Sequence, residues 1–209
     1  MNDVLATGLS LITPLGHDLD VQIKKMYAGT SAISKWSRYP TDKIFAKIGG
    51  DLGSRSPAEH LQEIYPALPE AVARKAKRLL IRVPWSTAHS IELALRACLN
   101  AGVFPTPEDA HEWAVIVAGT NINPEYMFQQ SHVFAKEPDH IDAMAGLVGL
   151  DTDHAGCISE VLGIKGGAYV VGGACASGNM AVRAAFDEIH HHDVCLLYTS
   201  DAADEGLGV

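Results

Sequence analysis

Apolar residues recur at helical spacing from Ser86 to Asn100, where Ala88, Ile91, Leu95 and Leu99 fall on one face, and the stretch stops at Gly102. Positions three and four apart form the buried stripe of a helix, and a glycine just past its end supplies a left-handed closing residue. The pattern predicts a long core helix with Cys98 as a small core residue. A first helix is predicted to start after Asp18, an N-cap type residue, and to stop at Gly29, a C-cap type residue. Ala181 to Ile189 also carries apolar residues at helical spacing. Short runs of β-branched and small residues at Val4–Thr7, Ala114–Ala118 and Ala168–Val171 predict strands. Between Pro40 and Pro69 the periodicity is weak and prolines and glycines interrupt it, which predicts surface loop with short elements. Strand-like runs alternating with helical ones indicate an α/β layered fold, with no internal repeat or linker.

Composition narrows the class of protein. With 209 residues, 47% of them hydrophobic and 20% charged, the chain can bury one sizeable core. No apolar run approaches the ~20 residues that span a bilayer. The chain opens with Asn2 and Asp3 rather than a basic region leading into an apolar one, so the expectation is a cytoplasmic protein without membrane contact. A net charge of −9 argues against general nucleic-acid binding.

The segment that carries chemistry is Val170 to Ala181. Val170 and Val171 favour extended backbone, Gly172 and Gly173 allow a sharp turn, and Cys175 then stands where the strand hands over to a helix. Unpaired N–H groups and the positive end of a helix stabilise a thiolate, the nucleophilic form of cysteine. Gly173, Ala174, Ala176 and Gly178 leave room for a substrate. The local pattern alone also fits a small buried cysteine at a tight junction. Ser177 is a weaker nucleophile candidate, because the hydrolase elbow needs glycine two residues before the serine and Cys175 stands there. His190, His191 and His192 are consecutive at a helix end and point in different directions, so a solvated terminus is expected, not a metal site. His140 and His154 are expected on the surface or in loops.

The chain resembles the β-ketoacyl synthases of fatty-acid and polyketide assembly, which have the thiolase-like α/β layered fold (α/β/α/β/α in the intact enzyme). Val4-Leu5-Ala6-Thr7-Gly8 through Pro14-Leu15-Gly16 is similar to that family's first strand and turn, and Gly29-Thr30-Ser31-Ala32-Ile33 follows in order. Ala155-Gly156, Leu162-Gly163-Ile164-Lys165-Gly166 and Gly173-Ala174-Cys175-Ala176-Ser177-Gly178 continue the register. Gly167 departs from the proline usual there. Residues 1–193 thus resemble the N-terminal half of an elongating synthase.

The resemblance implies that Cys175 is the catalytic nucleophile, taking an acyl chain from an acyl carrier protein, whose phosphopantetheine arm carries the substrates, with no bound cofactor. Malonyl carrier then loses carbon dioxide, and its carbanion attacks the acyl-cysteine to release a 3-oxoacyl carrier. In the family two histidines, a lysine and a second oxyanion donor come from the C-terminal half. The resemblance also places Ile122, after the Ala114–Ala118 strand, at the gate of the acyl pocket, where the residue pattern fits core packing equally. It assigns carrier docking to Arg74, Lys75, Lys77 and Arg78, in a helical segment over Glu70–Arg82 where Arg74, Arg78 and Arg82 share a face. That segment also reads as an ordinary solvated helix face. The intact enzyme is expected as a homodimer or a synthase heterodimer. The alternative reading is a non-catalytic, chain-length-factor-like partner subunit, but such partners usually replace the nucleophile. No G-x-G-x-x-G follows Thr7-Gly8, which sets aside a dinucleotide-binding reading.

Residues 194–209 are expected to be foreign, because Cys195-Leu196-Leu197-Tyr198-Thr199-Ser200-Asp201-Ala202-Ala203-Asp204-Glu205 and Gly208-Val209 resemble a translated sequencing adapter. Without Asp201, Asp204 and Glu205 the 25 acidic residues fall by three against 16 basic ones, a net charge of −6. Cys98, Cys157 and Cys175 then remain, an odd count that predicts free thiols. On this reading the chain alone is expected to lack condensing activity, with half of the layered core missing.

Overall fold

The computed structural model describes residues 3–191 and the backbone of 196–201. Residues 192–195 and 202–209, which include His192, Cys195 and most of the 194–209 stretch expected to be foreign, lie outside the described residues. Helix α1 spans Leu19–Tyr27, with the Asp18 carboxylate accepting the Val21 N–H at 2.8 Å and Gly29 following at φ +67°. Strands β1 (Ile33–Lys35) and β2 (Ile48–Gly50) form an antiparallel hairpin. Helices α2 (Pro57–Gln62), α3 (Glu70–Leu79) and α4 (Trp85–Ala101) precede the central strand β3 (Trp113–Ala118). Helices α5 (Pro124–Lys136), α6 (Ala145–Val148) and α7 (Thr152–Leu162) lead to β4 (Ala168–Val171), which turns into α8 (Ser177–His191). Strand β5 (Leu196–Asp201) closes a parallel sheet of order β4-β3-β5.

The continuous apolar run of β3 is explained by burial on both faces. Val115 and Val117 join the larger core with Ile91 and Leu95 of α4 and Ile158 and Val161 of α7. Ile116 and Ala118 face the other way, toward Ala181 of α8. Each fully buried Leu or Ile contributes about 1.5–3 kcal/mol relative to exposure. The long helix runs as predicted, with Ala88, Ile91, Leu95 and Cys98 buried, Leu99 partly buried, and Gly102 left-handed at φ +71°.

Val4–Thr7 is not a strand. Its neighbourhood runs extended along α4, where the Leu9 N–H donates to Asn100 Oδ1 at 2.9 Å and the Ser10 hydroxyl to the Leu93 carbonyl at 2.7 Å. Polar groups on a helix have taken the hydrogen bonds that a neighbouring strand would supply. Gly8 is needed for that approach, since a Cβ there would overlap the Ala97 carbonyl oxygen.

Two charged clusters tie the N-terminal loops to α4. Glu92, fully buried, receives Arg55 through two hydrogen bonds of 2.5 and 2.7 Å and Arg96 at 2.8 Å. Burial opposes its charge, yet the two guanidiniums hold the carboxyl below its usual range. Arg38 lies 3.7 Å over the Trp85 ring and pairs with Glu125 at 2.5 Å, which fixes the hairpin against α5.

The Leu162-Gly163-Ile164-Lys165-Gly166 motif has a physical explanation. Gly163 closes α7 at φ +80°, and a Cβ on Gly166 would overlap the Trp113 carbonyl oxygen at the start of β3. Gly166→Ala is therefore expected to destabilise the fold by about 1–3 kcal/mol, read as a lower urea midpoint at unchanged slope. An unchanged midpoint would show that β3 shifts at no cost.

Candidate active site

β3 and β4 end side by side. Ala118 pairs with Val171, and the Gly119 N–H donates to the Val171 carbonyl at 3.0 Å. Two turns leave this shared carboxyl edge, Gly119–Asn123 and Gly172–Cys175, so the fold brings two separate sequence motifs together. They touch closely, because a Cβ on Gly172 would crowd the Thr120 hydroxyl.

Cys175 sits in a single 3-10 turn, Ala174–Ala176, that runs directly into α8, and its side chain is exposed. The small buried reading of this cysteine does not match that exposure. Ala174 just before it is left-handed at φ +49°. Ser177 is 1% exposed; its hydroxyl accepts the Gly173 N–H at 2.9 Å and donates to the Ala174 carbonyl at 2.7 Å. With its proton committed and its oxygen buried, Ser177 is excluded as the attacking group. Beside the turn lies an open apolar depression lined by Val171, Ala176, Met180 and Ala184, with the 2.8 Å Arg183–Asp187 pair at its rim.

The neighbouring turn is held from α7. The Asp151 carboxylate accepts the N–H groups of Asn121 and Ile122, each at 2.8 Å, and steadies Asn121 in its left-handed conformation at φ +59°. Ile122 is 2% exposed and packs in the larger core. Asn123 donates to the Val148 carbonyl at 2.9 Å, while its Oδ1 accepts the Ser86 hydroxyl and His154 Nε2–H, the latter at 3.1 Å. His154 Nδ1 accepts from the Ser90 hydroxyl at 2.8 Å.

His154 was expected at the surface and is instead 1% exposed. Two hydrogen bonds satisfy its ring, and burial pushes its pKa down to about 4, so it is neutral. Asp151, Asn123 and His154 escaped the sequence reading because no motif marks them; only their placement around the turn reveals their part. His140 is exposed, 3.2 Å from Glu137. His190 stacks on Phe186 at 4.2 Å and His191 is exposed in the last turn of α8. Among the described residues no group of three His, Cys, Asp or Glu side chains could hold a metal.

Cys98 and Cys157 are both buried, and burial pushes their thiols up to about 11 and about 12, the second helped by the Asp153 charge. Of the three cysteines in described residues, only Cys175 is exposed.

The basic segment is partly engaged. Helix α3 stops at Leu79, so Arg82 lies beyond it, but Arg78 and Arg82 both approach Glu160 of α7, at 2.9 and 3.8 Å. Lys77 Nζ stands 4.6 Å over the Tyr65 ring, Lys75 Nζ lies beside Gly163, and Arg74 makes only a 4.0 Å contact with exposed Glu70. Exposed pairs of this kind contribute little stability and leave the positive field outward. No described helix is long and apolar enough to cross a membrane.

The profile of the β-ketoacyl synthase N-terminal domain matches residues 1–197. The polyketide biosynthesis malonyl-ACP decarboxylase PksF of Bacillus subtilis (strain 168) is 25% identical over 187 residues, covering 90% of this chain and 41% of that protein. The ishigamide ketosynthase/chain length factor superposes with a TM-score of 0.70 at 20% identity, over 91% of this chain and 44% of that one. A β-ketoacyl synthase from Burkholderia phymatum STM815 gives 0.67 at 18% identity, over 94% and 46%. The chain spans less than half the length of each of these proteins. With almost its whole length matched by one family profile, and with the parallel-sheet architecture that the solved structures share, the chain belongs to the β-ketoacyl synthase family.

Proposed function

We propose that this domain serves an acyltransferase that forms carbon–carbon bonds by decarboxylative Claisen condensation, with Cys175 as the acyl acceptor. The observation that carries the reading is an exposed cysteine at the head of α8, on the carboxyl edge of β3 and β4, in a chain of this family. In the first stage the Cys175 sulfur attacks a carrier-bound acyl thioester and the carrier thiol leaves, so one thioester replaces another. The Cys175 N–H is the backbone donor available to the developing oxyanion. In the second stage malonyl carrier releases carbon dioxide, and the carbanion displaces the Cys175 thiolate to give a 3-oxoacyl carrier.

Ile122 is proposed to set the inner wall of the acyl pocket, its position fixed by the Asp151 clamp. Arg74, Lys75, Lys77 and Arg78 are proposed to guide an acidic carrier protein, chiefly by raising the encounter rate. A second reading, decarboxylation of malonyl carrier without condensation, is favoured by the name of the Bacillus relative. A partner-subunit role is disfavoured by the presence of Cys175.

Incubation with a medium-chain acyl carrier thioester is expected to leave one acyl group on Cys175, found by peptide mass mapping, and Cys175→Ala is expected to abolish it. No acyl adduct on wild-type chain in which Cys98 and Cys157 remain protected from alkylation would sink the reading. In a longer protein containing this domain, added malonyl carrier then separates the two chemistries: a 3-oxoacyl product means condensation, and acetyl carrier alone means decarboxylation.

A further inference from the structure

We propose that Ser177 is a positioning residue, whose hydroxyl staples the left-handed turn at Ala174 and so presents Cys175 at the head of α8. Apart from Asn121, Ala174 is the one non-glycine residue with positive φ among the described residues. Asparagine tolerates that conformation through local side-chain hydrogen bonding, whereas in alanine the Cβ crowds the following carbonyl oxygen. Something must hold Ala174 there.

The Ser177 hydroxyl spans the twisted residue: it accepts from the N–H before Ala174 and donates to the carbonyl after it, at 2.9 and 2.7 Å. Two hydrogen bonds made by one buried hydroxyl act in the direction that offsets the strain. The Ala176 N–H, donating to the Gly173 carbonyl at 3.0 Å, completes the turn between them. Burial of Ser177 removes the competing water. Asp151 performs the matching task on the neighbouring turn, where it holds Asn121 through two backbone N–H groups. Both left-handed residues on the shared strand edge are thus flanked by backbone groups that a side chain holds, Ser177 from the start of the next helix and Asp151 from the residue before α7. The inference rests on Cys175 being the acyl acceptor.

The test compares Ser177→Ala, Ser177→Thr and the double variant Ala174→Gly/Ser177→Ala in the 209-residue chain. Three quantities are read: amide exchange at Gly173, the rate of Cys175 acylation by an acyl N-acetylcysteamine thioester, and the rate of its alkylation by iodoacetamide. Acylation needs the sulfur and its own N–H aimed at one carbonyl, while alkylation by a small reagent needs only access. Ser177→Ala is expected to free the Gly173 amide and to lower the ratio of acylation to alkylation about tenfold, the scale of a modest misplacement. Ser177→Thr, which keeps the hydroxyl, is expected to hold both near wild type.

An unchanged ratio and unchanged Gly173 exchange in Ser177→Ala, with Cys98 and Cys157 still protected, would overturn the proposal. If Ser177→Ala instead exposes those two thiols, the double variant decides. Glycine removes the strain that the staple opposes, so protection is expected to return, and failure to return also overturns the proposal. Wild-type chain that never accepts an acyl group would defeat the functional reading, while Gly173 exchange would still judge the staple.

Discussion

Iodoacetamide at pH 8 is expected to label Cys175 in the folded chain and to leave Cys98 and Cys157 unmodified over the same interval. The attacking species is the thiolate, and two independent effects remove it from the buried sites. Thiols pushed up to about 11 and about 12 hold on the order of one part in a thousand and one in ten thousand as thiolate at that pH. In addition both cysteines are buried, so reaction must wait largely for the core to open. The difference in rate should exceed about 100-fold and collapse in urea. Peptide mapping reads each site separately, Cys195 included. Comparable labelling of all three in native buffer would mean that α4 and α7 do not pack as described.

Acidification is expected to destabilise the fold well before most carboxylates titrate. His154 and His89 are buried, and burial lowers both from 6.5 to about 4, with the Asp151 charge opposing the shift at His154. At His89 the hydrogen bond to the Trp85 carbonyl and the Glu92 charge also oppose it, while Arg55 and Arg38 add to it. Between pH 6.5 and 4 the unfolded chain therefore binds more protons than the folded one. Stability is fully present above the unfolded pKa and falls as pH drops through that window.

Each histidine is worth about 3 kcal/mol at most across the window, a large part of the usual 5–15 kcal/mol of a domain. Asp153, raised by its own burial, works in the opposite direction and trims the loss. The urea midpoint should drop steeply from pH 7 to pH 4.5, and His154→Gln should flatten that drop. A midpoint independent of pH would show that both rings already carry protons in the fold.

The parts legible in the sequence are those where local pattern and burial agree. The α4 stripe, the Asp18 cap, the two strands of the parallel sheet and the turn at Cys175 each declare themselves within a dozen residues. Val4–Thr7 had strand composition but no strand beside it, a fact that belongs to the surroundings and not to the segment. His154 looked like any loop histidine, because its burial depends on Ser90 and Asn123, which lie 64 and 31 residues away. The clamp at Asp151 was equally hidden, since acids near helix starts are common and only the fold shows which backbone N–H groups this one receives. Resemblance supplied the roles proposed for Ile122 and the basic helix, which composition alone could not have distinguished from packing and solvation.

The two faces of the sheet are anchored unequally. Helix α4 buries nine residues, whereas α8 buries only Ser177 and Ala181 and leaves Met180, Val182 and Phe186 exposed. In the language of cooperative units, α4, α7 and β3 form the part that opens only with global unfolding, and α8 forms a lower-energy one. The helix that follows Cys175 is thus held by far fewer buried residues of its own than α4 is. Its order is therefore responsive to whatever covers that face, and a partner or ligand binding there would raise the occupancy of the turn at Cys175 without touching the sulfur.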